Sequence, residues 1–165
     1  MPLTVAVRDT KGDRVGVVWL LQLRDGVLVR ARFHSLTPGF HGFHVHETGL
    51  CAVGDPSKPF TSAGGHYAGR AGAVHDEHAG DLPPLLVTAH GKASMSFVTD
   101  RLSVRQLRDA DGSAVIVHSG ADNFANIPDR YQSTLGNASG PDEETLKAGD
   151  AGSRVACGVI RPSRR

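Results

Sequence analysis

Short runs that alternate apolar and polar residues, each cut off by a turn, constrain most strongly what this chain can become. Leu3 to Arg8 sets Leu3, Val5 and Val7 on one side, and Lys11-Gly12-Asp13 then reads as a turn. Val15 to Leu23 is a longer strand, Asp25-Gly26 a hairpin signal, and Val27 to Phe33 alternates again, with Val27, Val29, Ala31 and Phe33 opposed to Leu28, Arg30 and Arg32. Thr37-Pro38-Gly39 closes that run. Further strands are expected at His41–Glu47, Leu82–Ala89, Ala93–Thr99, Ser113–His118 and Arg154–Ile160. Leu102 to Leu107 reads as a short helix or an irregular connection. Eight short strands with turns between most of them predict an all-β chain, a Greek-key β-sandwich or flattened eight-stranded antiparallel barrel.

With 165 residues the chain suits one domain, 1–165. Twenty glycines and 5% aromatics fit strands joined by turns better than a helical bundle. The formal net charge of +1 gives no pull toward nucleic acid or a membrane surface. The longest apolar run, Val15 to Leu21, is too short to span a bilayer. The first residues show no basic segment ahead of a long apolar core, which says little about export. The two cysteines, Cys51 and Cys157, stand far apart and form no Cys-x-x-Cys pair, so a zinc finger or thioredoxin-like site is not expected. Trp19 is read most simply as a core or interface aromatic.

Two stretches carry little periodicity, about 48–81 and about 119–153. Structureless segments of that length inside a compact domain are functional or disordered. The first holds one cysteine and three histidines, which favours function. Just before it, Gly42-Phe43-His44-Val45-His46-Glu47 places two imidazoles on one strand face, with Val45 on the other. Imidazole is the usual ligand of copper, zinc, iron and nickel. His66 in Gly64-Gly65-His66-Tyr67, the run His75-Asp76-Glu77-His78-Ala79-Gly80-Asp81, and His118 at the end of a β-prone strand supply further ligand types. Taken singly, each is an ordinary solvated or hydrogen-bonded residue. Their joint occurrence points to metal.

These segments resemble a known family. His41-Gly42-Phe43-His44-Val45-His46-Glu47, Ser62-Ala63-Gly64-Gly65-His66-Tyr67, His78-Ala79-Gly80-Asp81-Leu82 and Gly152-Ser153-Arg154-Val155-Ala156-Cys157-Gly158-Val159-Ile160 are similar to the copper/zinc superoxide dismutases, from about residue 3 to 160. The runs 119–128 and 140–145 look most like the bacterial secreted branch, particularly its actinobacterial members.

The resemblance implies one copper on His44, His46, His66 and His118, and one zinc on His66, His75, His78 and Asp81, with His66 as a bridging imidazolate. Asp122 would hydrogen-bond one histidine of each site and hold ring orientation. Arg154 would dock superoxide beside copper, and Glu143, Glu144 and Lys147 would belong to a steering loop. Reduction would free His66 to take a proton on its way to peroxide. Cys51 and Cys157 are expected to form a disulfide tying the metal loop to the last strand. Such a bond favours the periplasm, cell envelope or secretion, with the cytoplasm as runner-up. The substrate would be the small superoxide anion, and the resemblance allows a homodimer. His75 and His78 stand closer together than the family's usual spacing. Either the contracted loop still reaches, or a ligand is lost and the site is copper-only. A copper-buffering protein of the same fold is the alternative to the enzyme, and Arg154 argues against it, because storage needs no anion-docking cation.

Overall fold

The computed structural model describes residues 1–136 and 139–163; residues 137–138, in the second long loop, and 164–165 lie outside the described residues. The elements are β1 (Leu3–Asp9), β2 (Arg14–Leu23), β3 (Gly26–Phe33), β4 (Gly39–His41), β5 (Phe43–His46), β6 (Leu85–Val87), β7 (Ala93–Thr99), β8 (Ser113–His118), a six-residue helix α1 (Glu143–Ala148) and β9 (Arg154–Ile160). Seven strands form one antiparallel sheet in the order β5-β8-β9-β1-β2-β3-β7, and β4 pairs with β6. The neighbours β5–β8 and β3–β7 are distant in sequence, as Greek-key crossings require.

The expected strand His41–Glu47 is broken. Gly42 separates β4, which pairs with β6, from β5, which pairs with β8. A side chain at Gly42 would meet Ala151 at 2.7 Å and His44 at 3.0 Å. Its N–H donates instead to Gly120 O, and its carbonyl accepts from His118 N–H, both at 2.8 Å. One stretch therefore serves two partners. Because β4 runs on into β5 while β6 packs near β7, the small pair spans the two edges of the large sheet and completes the barrel. This is the expected all-β architecture, with one strand split and Leu82–Ala89 shortened to three residues.

The alternation read from sequence sets the core. Val5, Val7, Val18, Leu20, Val29, Phe43, Val45, Val115, Val117 and Ile160 are buried together. Phe33 meets Phe43 edge to face at 5.9 Å, and Gly16 opposite Phe33 leaves the room its ring needs. Each such side chain contributes about 1.5–3 kcal/mol of transfer free energy. The first hairpin turns at Arg24-Asp25, one residue earlier than the Asp25-Gly26 signal, and Gly26 pairs with Leu23 as the first residue of β3. Trp19 is not in the core: it faces outward between Thr4 and Arg30.

Candidate metal centre

The site is assembled on one rigid and one irregular support. On β5 all four residues are buried: Phe43 and Val45 belong to the barrel core, and His44 and His46 point the other way. His118 ends β8, the strand paired with β5. His66 enters from the loop after β5 through an isolated bridge to His46, and Asp81 through one to His44.

Each histidine of the first group is held by one ring nitrogen. His44 Nε2 lies 2.6 Å from Asp122 Oδ2, His46 Nδ1 3.0 Å from Gly64 O, His118 Nδ1 3.0 Å from Gly152 O and His66 Nδ1 2.7 Å from Asp81 Oδ1. The other nitrogens, His44 Nδ1 and the Nε2 atoms of His46, His66 and His118, are buried without a hydrogen-bond partner. A buried polar atom left unpaired costs about 1–3 kcal/mol, yet here four such atoms share one place. Their residues each offer a ligand atom, all within 4.8 Å of one another. A cation that accepts imidazole nitrogen satisfies all four, so the residues fit copper.

The second group is carried by the loop. His44, His66, His75 and Asp81 also offer ligand atoms within 4.8 Å of one another. His78 lies outside that set, but its Nδ1 is 3.2 Å from Asp81 Oδ2, while His75 Nδ1 is 3.1 Å from Asp81 Oδ1. Both Nδ1 atoms are buried and face the carboxylate without an aligned hydrogen bond. The short spacer thus still brings both imidazoles to one carboxylate. Three imidazoles and a carboxylate suit zinc, and His66 faces both groups, one with each nitrogen.

Asp122 couples the two halves. Its Oδ2 takes His44 Nε2, and its Oδ1 lies 2.7 Å from His75 Nε2 and accepts Phe124 N–H at 2.7 Å. Burial pushes the Asp122 carboxyl up, but hydrogen bonds from His44, His75 and Phe124 outweigh it and hold it well below the usual range. Asp81 follows the same balance: burial pushes its carboxyl up, but the neighbouring His66 and His75 rings outweigh it and hold it well below the usual range. Burial pushes His66 down to about 4 and His118 down to about 3, and holds His46 well below its ordinary value. In His75 burial also acts downward, but the two carboxylates win and raise it to about 9. The ligand nitrogens of His46, His66 and His118 are therefore bare at neutral pH, as a ligand must be.

Arg154 opens β9. Its guanidinium donates to Phe60 O at 2.7 Å and to Gly64 O at 2.6 Å. Gly64 O also receives His46 Nδ1, so one carbonyl ties the arginine to the histidine cluster. Burial lowers the Arg154 pKa, opposed by the charge of Glu47. The Cys51–Cys157 disulfide is formed, with 5.7 Å between Cα atoms, and it joins the first loop to β9. Glu143, Glu144 and Lys147 lie on α1, a six-residue helix inside the second loop, where the sequence predicts no regular element. Lys147 Nζ is 2.7 Å from Glu143 and 3.8 Å from Glu144, all of them exposed.

Two further residues shape the site: His41, through its hydrogen bonds, and Gly149, which sequence reasoning missed. His41 is buried between His118 O (2.6 Å) and Thr37 O (2.8 Å), steadying the backbone of a site histidine. Gly149 ends α1 at φ +63°, and a side chain there would overlap Asp122 and His75. Its signal is the glycine after a short helical run with Lys147 in the last turn.

The chain matches the family model of copper/zinc superoxide dismutase (SODC) over residues 14–160. It belongs to the copper/zinc superoxide dismutase family. A superoxide dismutase [Cu-Zn] of Mycolicibacterium paratuberculosis is 46% identical over 132 residues, 76% of this chain and 57% of that protein. The chain thus spans little more than half the length of that mycobacterial relative. The superoxide dismutase [Cu-Zn] of Photobacterium leiognathi is 35% identical over 169 residues, covering 96% of this chain and 86% of the other. The Cu/Zn superoxide dismutase structure from Brucella abortus superposes with a TM-score of 0.73 at 33% identity, over 98% of this chain and 100% of that one.

Proposed function

We propose that this chain disproportionates superoxide to dioxygen and hydrogen peroxide. The observation that carries the reading is the set of buried, unpartnered ring nitrogens on His44, His46, His66 and His118, beside an arginine anchored to the same carbonyl as His46. His44, His46, His66 and His118 would hold copper, and His66, His75, His78 and Asp81 would hold zinc. Bound copper supplies one-electron chemistry by alternating between Cu(II) and Cu(I).

The chain's own residues do the rest. Arg154 docks the anion: its guanidinium stays charged and two backbone carbonyls fix its plane. His66 Nε2 is the ring atom that would hold the proton bound for peroxide, while Asp81 fixes the ring through Nδ1. Asp122 keeps His44 and His75 in one tautomer each. Glu143, Glu144 and Lys147 contribute to the field that steers the anion. Residues 1–165 are read as one domain, with the metal loop at about 48–81 and the steering loop at about 119–153.

No helix among the described residues is long and apolar enough to cross a membrane. The disulfide supports a periplasmic, cell-envelope or secreted location. A homodimer belongs to the same reading and is checked by sedimentation. Metal analysis combined with a superoxide assay tests the whole. Copper and zinc in equal amounts with turnover is the expected result. Copper without zinc makes the enzyme copper-only, and full copper loading without turnover makes the protein a copper buffer.

A further inference from the structure

Strand β2 is apolar on both faces. Val18 and Leu20 point into the barrel, but Val17, Trp19 and Leu21 point out. A strand with one face in water needs apolar residues only on the other. The register extends the outward face sideways: Trp19 lies between Thr4 and Arg30, with Ser96 beyond, and Leu21 lies beside Leu28 and Val98. The third row is Val17, Arg32 and Ser94. An open groove of about 670 Å³ runs over this surface, lined by Trp19, Leu21, Leu28, Arg30 and Arg32. None of the metal-cluster residues lies on β1, β2, β3 or β7.

The charge on this face is one-sided. The three rows hold two guanidiniums and no carboxylate. Among the described residues, neither Arg30 nor Arg32 has an ion pair or a side-chain hydrogen bond, and the Trp19 indole N–H has no acceptor. An isologous contact with a second copy would set these arginines against their own counterparts with no counter-charge. Contact with a bilayer is served by a contiguous set of protruding apolar side chains, whereas in these rows Val98 alone of the large apolar residues is well exposed, and Trp19, Leu21 and Leu28 are partly buried beside exposed arginines. The lining suits an acidic sugar chain. An indole offers an apolar plate for a sugar ring and a free N–H. Ser94 and Ser96 offer hydroxyls to sugar hydroxyls. Two guanidiniums on one strand face, roughly 6.6–6.8 Å apart along β3, present paired donors to successive carboxylates or sulfates.

We propose that this face docks an acidic polysaccharide, with Trp19 against a sugar ring and Arg30 and Arg32 on its anionic groups. Trp19 is the sole tryptophan, so its fluorescence reports on this face alone. The metal-loaded chain is titrated with an oligogalacturonate, with a neutral glucan of equal length, and with phosphatidylcholine–phosphatidylglycerol vesicles. The expected result is a saturable change in Trp19 emission with oligogalacturonate and none with the glucan. The double variant Arg30→Glu/Arg32→Glu should bind about tenfold more weakly or worse, and added salt should weaken the parent. Both arginines are exposed and unpaired, so circular dichroism and metal content of the variant should match the parent. No emission change, an unchanged affinity in the double variant, or a response to vesicles alone would overturn the proposal. So would a change that follows protein concentration without any ligand, because that identifies a second copy as the occupant.

Discussion

The two halves of the candidate metal centre are built differently. His44, His46 and His118 sit on paired strands, where the ladders β5–β8 and β8–β9 fix their Cα positions and the core residues Phe43 and Val45 anchor the opposite face of β5. His75, His78 and Asp81 sit on a loop with no ladder, held by single hydrogen bonds such as His75 N–H to Leu146 O and His78 N–H to Asp81 Oδ2. The strand half is placed by barrel packing, whereas the loop half is placed by its ligands and by Asp122. The first should be preorganised without metal, and the second should owe more of its order to metal.

The largest effect that could break this contrast comes from ligand removal. His46→Ala should abolish turnover and copper retention, while His78→Ala should lose the second metal and keep copper; metal analysis of both decides. Equal copper loss in the two variants would erase the distinction between halves. Next comes Asp122→Asn, which cuts the link between His44 and His75. It should weaken binding of both metals by about 10–100-fold, measured by chelator competition, whereas a loss confined to one metal would show that the halves are independent.

Opening the disulfide sharpens the comparison. Its loop spans a sequence separation of 106 residues, and the Cys51→Ser/Cys157→Ser pair should lose roughly 2–5 kcal/mol of stability. Calorimetry reads the loss, and hydrogen exchange should place it in the first loop rather than in β5 and β8.

A smaller effect is the pH profile of the metal-free chain. His66 at about 4, His118 at about 3 and the lowered His46 bind fewer protons folded than unfolded once the pH falls below the ordinary histidine value. Stability should therefore decline as pH drops through about 6.5 toward those values. His75, raised to about 9, contributes stability below about 6.5 that is lost as pH rises through 9. Thermal melts of metal-free protein across pH test both slopes, and both should flatten when metal occupies the rings. The smallest change is Lys147→Ala on exposed α1. It should leave the melting temperature unaltered and shift only the salt dependence of the rate.

Strand positions, the all-β class and the shared face of His44 and His46 were readable from residue order, because strand periodicity is local. The ligand list was readable as a set of residue types, and its partition into two groups came from resemblance rather than from spacing. The break at Gly42 was not readable. It arises because Ala151 and Gly120, far along the chain, press on that position. The helix α1 was hidden by its length, since six residues give too few turns for a periodic signal. The orientation of Trp19 needed the register, which flips every side chain when it slips by one residue. The chain's own order determined which residues would form strands and which could bind metal. Only the tertiary structure decided that His75 and His78 both reach the Asp81 carboxylate across the two residues between them, that one carbonyl serves both His46 and Arg154, and that Asp122 links His44 to His75. The last two rest on contacts between segments separated by many residues, where packing and not local preference sets the distance.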